Sequence, residues 1–153
     1  MPAMHTLHRE QFIPAPLAEV WTYFATPQNL NALTPPAMDF AIEGNPAPMF
    51  AGQLIAYRIR LGPGVRVRWL TEIRHVQEQA FFVDEQRLGP YRLWYHEHRF
   101  EAVRGGVHMT DHVTYALPFG PLGLLVHALW VRRTLRQIFD FRHTAVAARW
   151  PAR

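Results

Sequence analysis

A run of alternating segments followed by one long amphipathic stretch is the feature that most constrains the fold of this chain. Between residues 52 and 117, apolar and polar side chains alternate along five successive segments, the period of a β-strand with one buried face. We predict strands at 52–61, 65–75, 80–87, 91–103 and 107–117. Turns with glycine or proline separate most of the segments. Because each segment has one apolar and one polar face, they predict an antiparallel sheet that is covered on one face only.

The long stretch that closes the chain supplies this cover. From residue 121 to about residue 149, apolar residues recur at helical spacing, and such a helix would run about 40 Å. Ahead of the sheet, the pattern predicts a strand at 6–13 and helices at 17–25 and 28–33. This order predicts an α+β fold in which the last helix crosses the sheet. Since a curved sheet and a helix leave space between them, we expect a cavity of roughly 300–1,000 Å³.

Composition excludes several classes of chemistry. The 153 residues suffice for one domain, 1–153, with a sizeable core. The chain has no cysteine, which excludes disulfides and thiolate sites, and all 16 basic residues are arginine, which excludes a Schiff-base lysine. The apolar run 116–131 is interrupted by proline and glycine and is shorter than a bilayer span, so we expect a cytoplasmic protein without stable membrane insertion.

Several motifs carry a resemblance to a known superfamily. They lie at 12–16, 27–30 and 33–36 in the opening part, and at 82–86, 94–100, 111–115, 118–120 and 138–142 later in the chain. Together they resemble the START/SRPBCC superfamily, which includes the birch-pollen allergen class and polyketide cyclases, and within it a bacterial ligand-binding subgroup described as cell-division-inhibitor-like. The resemblance implies a helix-grip fold: two short helices after the first strand, and a curved antiparallel sheet of about seven strands around a long C-terminal helix. It implies no single activity.

The segment 94–100 brings the most informative side chains to one face. Trp94, His96, His98 and Phe100 alternate along a strand and therefore share a side of the sheet. The two aromatic residues identify this side as the one that faces the helix. Two imidazoles are therefore expected to face the cavity, where they can bind a polar ligand head or transfer protons.

Asp111 and Tyr115 on the next strand are expected beside these histidines. His96, His98 and Asp111 could together bind a metal ion. Asp111 is equally explained as a hydrogen-bond partner of a histidine or of Arg142, and a catalytic zinc usually needs three protein ligands. We predict no metal and no cofactor, and we expect alanine at His96 or His98 to change ligand affinity more than stability.

Arg142 is the exceptional residue of the last helix, because it falls within the apolar stripe. A buried arginine needs a partner. It would either form an internal salt bridge with Asp111 or Asp84, which we favour, or clamp a ligand carboxylate. Asp84 and Gln86 share a strand face with a phenylalanine, and they point either inward or, through a bulge, to solvent.

The opposite face of the sheet carries arginines, and the helix begins with an apolar segment. We interpret the arginines as a solvated surface, since aromatic residues that could stack on bases are absent there, and we expect no nucleic-acid partner. These arginines are Arg58, Arg60, Arg66, Arg68 and Arg74. The apolar segment 119–131 could form a portal, a homodimer surface or a membrane contact. Seven further histidines are predicted at the surface: His5, His8, His75, His108, His112, His127 and His143.

The favoured function is binding, transport or sequestration of a small hydrophobic ligand such as a lipid, a polyketide-like compound or an aromatic metabolite. The first alternative is a cyclase or dehydratase that uses His96, His98, Asp111 and Tyr115 as acid and base. The second is a protein-interaction module that acts through the segment 119–131. The predicted ligand-binding residues are Trp69, Trp94, His96, His98, Phe100, Asp111, Tyr115, Val131, Leu135 and Arg142.

Overall fold

A seven-stranded antiparallel sheet dominates the computed structural model, which describes residues 1–152. Its strands are β1 (His5–Ile13), β2 (Ala41–Ile42), β3 (Leu54–Gly62), β4 (Val65–Gln77), β5 (Phe81–Leu88), β6 (Leu93–Val103) and β7 (Gly106–Ala116). They lie in the order β1-β7-β6-β5-β4-β3-β2, so the first strand pairs with the last. All predicted strands are present to within a few residues at their ends. The two-residue strand β2 is too short for alternation to reveal it.

Helices cover one face of this sheet, as predicted. Helix α1 (Leu17–Phe24) is followed by two short 3₁₀ segments, Pro27–Leu33 and Pro36–Met38. The C-terminal helix of 30 residues consists of α2 (Gly120–Val126), a π-helical turn (His127–Val131) and α3 (Arg132–Arg149). The predicted second short helix and long C-terminal helix are thus present. The former is a 3₁₀ helix, and the latter contains a π turn that the sequence pattern does not show, because a π turn leaves the apolar periodicity nearly unchanged.

The described residues contain no helix with both the length and the apolar character needed to cross a bilayer.

The core divides into two apolar clusters between the helices and the sheet. One cluster lies under α1 and includes Ile13, Val20 and Val107, all fully buried. The other lies under the middle of the C-terminal helix and includes Trp94 and Phe139. The cavity lies between them and is lined by residues of both clusters, Phe24 and Phe82 from the first and Trp94 and Phe139 from the second.

The opposite face of the sheet is exposed, and its arginines are paired with carboxylates. The carboxylate of Glu43 lies 3.1 Å from Arg58 and 2.7 Å from Arg68. Asp39 lies 2.6 Å from Arg66. Such exposed pairs contribute little to stability, but they neutralise the charge of this face, in agreement with a solvated surface.

Gly123 fixes the start of the C-terminal helix against the preceding loop. It is buried, and a Cβ atom at this position would overlap the carbonyl oxygen of Pro118. We expect Gly123→Ala to lower the free energy of unfolding by about 1–3 kcal/mol through overpacking, although alanine is the better helix former. Denaturant unfolding measures this effect. Leu124→Ala, at an exposed position of the same helix, is the control and should stay within about 0.5 kcal/mol of the wild type; equal effects would contradict this packing.

Candidate functional site

The candidate site is an apolar cavity between β3–β6, the two 3₁₀ segments and helix α3. Its volume is about 170 Å³, smaller than the 300–1,000 Å³ expected from the sequence. Large side chains occupy the remaining space, since Trp69, Trp94, Tyr91 and Phe139 all project into it. The cavity volume is still several times the volume of one water molecule, which is about 30 Å³.

The structure brings six of the ten predicted ligand-binding residues to the cavity wall. These are Trp69, Trp94, His96, His98, Leu135 and Arg142. The other four lie elsewhere. Phe100 packs in the cluster under α1, and Val131 lines a neighbouring groove. Asp111 lies behind the histidines, and Tyr115 packs at the far end of the second cluster.

Tyr115 contacts a histidine other than the expected ones. Its hydroxyl lies 2.8 Å from Nε2 of His127, and the His127 ring stacks on His5 with centroids 3.6 Å apart. The prediction that His5 and His127 are surface groups is therefore wrong, because both are half-buried between β1, β7 and the C-terminal helix. Sequence spacing could not reveal this contact, since it depends on where the helix crosses the sheet.

Two carboxylates enclose the stacked rings of His96 and His98. The strand register places Asp84 of β5 opposite His96 and Asp111 of β7 opposite His98. The ring centroids are 3.6 Å apart. Nε2 of His96 lies 2.8 Å from Asp111, and Nε2 of His98 lies 2.7 Å from Asp84. The second nitrogens lie farther away, with His98 Nδ1 3.1 Å from Asp111 and His96 Nδ1 3.5 Å from Asp84.

Arg142 of α3 completes this buried network. Its guanidinium lies 3.5 Å from Asp111 and 3.2 Å from Nδ1 of His98, and it packs over the rings of Phe24 and Phe139. The internal salt bridge favoured from the sequence is thus present. Because Arg142 also lines the cavity, the same side chain remains accessible to a ligand.

The charges of the network balance when one histidine is protonated. Burial disfavours both carboxylates, yet the neighbouring cations hold the pKa of Asp84 below its usual range and that of Asp111 well below it. Burial, with the nearby His98, lowers the pKa of His96. Burial opposes protonation of His98 too, but its hydrogen bonds to Asp111 and Asp84 outweigh it and raise its pKa. The raised pKa makes His98 the histidine that protonates first, and with Arg142 it then offsets the two carboxylates, while the lowered pKa of His96 disfavours a second proton.

Three buried polar atoms at the cavity have no hydrogen-bond partner within residues 1–152. They are Nε1 of Trp69, Nε of Arg142 and Oγ1 of Thr71, which lies near the Tyr57 hydroxyl without a well-aligned hydrogen bond. All three residues line the cavity. Buried polar groups are nearly always paired, so three unpaired polar atoms on residues of one cavity wall mark the polar part of this wall.

Asp84 is the site residue whose orientation the sequence left open. It points inward, whereas the side chain of Gln86 bonds to the main chain of Tyr91. Asp84, His96 and His98 offer ligand atoms within 4.8 Å of one another, a grouping that could hold a metal ion. The imidazole nitrogens already face carboxylates, and the Arg142 cation lies beside them, so the absence of a metal stays a prediction.

Asp111 is expected to stabilise the fold in a pH-dependent manner. Asp111→Asn leaves Arg142 and His98 without their carboxylate, so we expect a loss of about 3–5 kcal/mol near neutral pH. Because the pKa of Asp111 is lowered on folding from its ordinary value of 3.8, its contribution is complete above that value. It is lost as the pH falls through the lower folded pKa. Denaturant unfolding at several pH values should therefore show the two proteins converging in acid; a constant difference would contradict the assignment.

No known protein family and no curated protein sequence matches the chain, but solved structures do. Protein CV1439 from Chromobacterium violaceum superposes with a TM-score of 0.73 at 12% identity, covering 97% of this chain and 99% of its own. Ara h 8.0201 superposes with a TM-score of 0.63 at 20% identity, covering 95% and 99%. A point mutant of Thalictrum flavum norcoclaurine synthase, in complex with a transition-state analogue, gives 0.66 at 14%, covering 97% and 98%.

These likenesses show the fold of the chain. Ara h 8.0201 and norcoclaurine synthase are Bet v 1-like proteins, and nearly the whole length of each is covered. The chain therefore has a Bet v 1-like helix-grip fold, as predicted. Identities of 20% or less leave the function to be argued from the site itself.

Proposed function

We propose that this protein binds a small hydrophobic ligand in the cavity between sheet and helix, and that the polar wall of the cavity orients the ligand. The observation that carries the proposal is an apolar cavity whose wall includes three residues with an unpaired buried polar atom, Trp69, Thr71 and Arg142. Leaving such a group buried without a partner costs about 1–3 kcal/mol. A ligand acceptor would remove this cost, which favours binding of a molecule that carries one.

The shape of the wall supports an aromatic or polyketide-like ligand over a plain hydrocarbon chain. Tyr57, Trp69, Tyr91 and Trp94 form a continuous aromatic group, with Trp69 and Trp94 edge to face at 5.4 Å. Flat rings pack well against such surfaces. Carbonyl or carboxylate oxygens on the same molecule would accept hydrogen bonds from the unpaired donors.

An apolar groove that adjoins the cavity wall supports an entrance from the surface. The groove lies beneath α2 and has a volume of about 250 Å³. It shares Leu61, Tyr91 and Thr134 with the cavity wall. A ligand larger than the cavity would therefore extend into apolar surroundings.

Two matched fluorescent probes test the proposal: neutral N-phenyl-1-naphthylamine and the sulfonated 8-anilinonaphthalene-1-sulfonate. We expect saturable binding of both, weakened by Trp94→Ala because the ring forms part of the wall. Thr71→Val should weaken only the sulfonated probe, by about 3- to 10-fold, the worth of one hydrogen bond. The same substitution should leave the free energy of unfolding unchanged or higher, since the hydroxyl has no partner in the unliganded protein.

Thr114→Val is the matched control, since Thr114 lies on the opposite face of β7 and is half-buried. It should affect neither probe. Unchanged affinity for both probes in a folded Trp94→Ala protein would refute the cavity as the binding site. A Thr71→Val protein that is clearly less stable than the wild type would refute the claim that the Thr71 hydroxyl has no hydrogen-bond partner in the unliganded protein.

The buried network favours a second candidate, an enzyme that abstracts a proton next to a carbonyl group, as a cyclase or dehydratase must. His96 and His98 lie side by side on the cavity wall, and the lowered pKa of His96, caused first by burial, keeps it neutral and able to accept a proton. Both nitrogens of His98 are taken up by Asp84 and Asp111, so the Arg142 guanidinium, which lines the cavity and has an unpaired Nε, would stabilise the enolate oxygen. Among the other sequence candidates, Asp111 positions the two imidazoles, whereas Tyr115 bonds to His127 and takes no part.

The ketone 2-tetralone provides a test, because abstraction of a proton next to its carbonyl appears as deuterium exchange in heavy water. For an enzyme of this class, we expect faster exchange with protein than in buffer, followed by NMR. His96→Gln should remove the acceleration, and His143→Gln, at an exposed position of α3, should keep it. Exchange at the buffer rate in the wild type would exclude this candidate for ketones of this size.

A further inference from the structure

The start of the C-terminal helix presents large apolar side chains to solvent, and nothing in residues 1–152 covers them. We name Phe119, Leu122, Leu125, Val126, Leu129 and Trp130 the docking face. From residue 122 onward they recur at helical spacing and form one stripe. Phe119 is 77% exposed, Leu129 73% and Trp130 47%. Apolar exposure of this extent on a protein surface marks an interaction site.

Arginines without partners surround the docking face. Arg132, Arg133 and Arg136 follow it directly on the helix, and Arg92 lies at the end of β7, where its main-chain nitrogen bonds to Ala116. Within the described residues none of these four forms an ion pair, in contrast to the arginines on the sheet face. The sequence has no aspartate or glutamate from residue 112 to residue 139. This end of the molecule is therefore both apolar and positively charged.

We propose that the docking face binds the surface of a bilayer that contains anionic phospholipids. The apolar stripe would enter the boundary between headgroups and acyl chains, while the arginines contact the phosphates, as in interfacial amphipathic helices. Phe119 extends this contact beyond the helix. It holds a left-handed φ of 70°, which is uncommon outside glycine, and it projects at the tip of the turn before α2.

Charge favours a lipid surface over a second copy of the chain. Pairing two docking faces would bring Arg132, Arg133 and Arg136 of both copies together with no carboxylate between them. Like charges in such an interface oppose association. Anionic headgroups supply the missing negative charge.

The docking face also lies over the groove that adjoins the cavity. Phe119, Leu122, Val126 and Trp130 belong to both the face and the groove wall. A bilayer on this face would place the entrance against an apolar phase, from which a hydrophobic ligand could enter. This last step rests on the proposed function, but docking itself does not.

Trp130 is a built-in reporter for the test. It is the exposed member of the five tryptophans, since the other four are 8% exposed or less. The experiment titrates the full chain, without added ligand, with vesicles of pure phosphatidylcholine and with vesicles containing one-third phosphatidylglycerol. We expect a blue shift of Trp130 emission and quenching by brominated acyl chains with the anionic vesicles only, and loss of both signals in Trp130→Phe.

Surface variants separate the two parts of the interaction, with co-sedimentation as the measurement. Leu125→Asp with Leu129→Asp should abolish binding, while Leu54→Asp, at an exposed position on the sheet, should not. Replacing Arg132, Arg133 and Arg136 by glutamine should weaken binding roughly 100-fold. The matched control replaces Arg58, Arg68 and Arg74 by glutamine, which lowers the net charge equally, and it should have a much smaller effect.

Three outcomes would overturn the proposal. Equal binding to neutral vesicles, or equal loss in the sheet-face control, would show that the arginines around the helix do not direct docking. Absence of vesicle binding in the folded wild type would refute it outright. Absence of vesicle binding together with a dimer that Leu125→Asp dissociates would assign the face to a second copy instead. Since no ligand is added, failure here leaves the probe experiments on the cavity unaffected.

Discussion

A buried group of two carboxylates, two imidazoles and one guanidinium is the constraint on which the rest of the structure depends. Removing each ion from water costs several kcal/mol, and the attraction between them repays this only when every partner is in place. Here Asp84, His98, Asp111 and Arg142 balance in charge, and neutral His96 completes the contacts. Three neighbouring strands and the last helix supply these groups, so the network is satisfied in one arrangement of the fold.

This requirement gives the network a role in specificity. A slip of one residue in β6 would turn both histidines to the outer face and leave Asp84 and Asp111 buried without partners. A shift of α3 by one turn would move Arg142 away from Asp111, now 3.5 Å distant. Both errors are costly, whereas the apolar contacts around them would tolerate sliding. The network therefore fixes strand register and helix position near the cavity, the place where close packing is weakest.

Much of this arrangement follows from alternation along the chain. The alternation of Trp94, His96, His98 and Phe100 predicts which side of β6 faces inward. Because only one face of the sheet is covered, the side that carries the two aromatic residues must be the covered one. The partners of the histidines were harder to predict. Asp84 lies next to a turn rich in glycine and proline where a bulge could reverse the face. Indeed the pairing between β4 and β5 shifts twice, so alternation alone cannot decide its orientation.

Other features depend on distances that periodicity does not contain. The contact of Tyr115 with His127, and of His127 with His5, requires knowing where the helix crosses β7 and β1. The π turn at His127–Val131 adds little to the apolar pattern but rotates the residues on either side of it. The cavity volume likewise depends on how the tryptophan and phenylalanine rings fill the space between sheet and helix. The sequence does not contain this information, and the cavity volume expected from it is therefore too large.

The two parts of the C-terminal helix lie in different environments: one is buried on the sheet and the other is exposed to solvent. Beyond the π turn, Leu135, Phe139, Arg142 and Val146 are buried, and the buried ion network holds this part on the sheet. Ahead of the turn, α2 keeps Gly123 as its buried residue and exposes its leucines. The buried ion network lies wholly beyond the π turn, so a change in what covers the exposed leucines of α2 leaves the network undisturbed. The exposed start of the helix can therefore serve the entrance of the cavity while the polar wall within stays fixed.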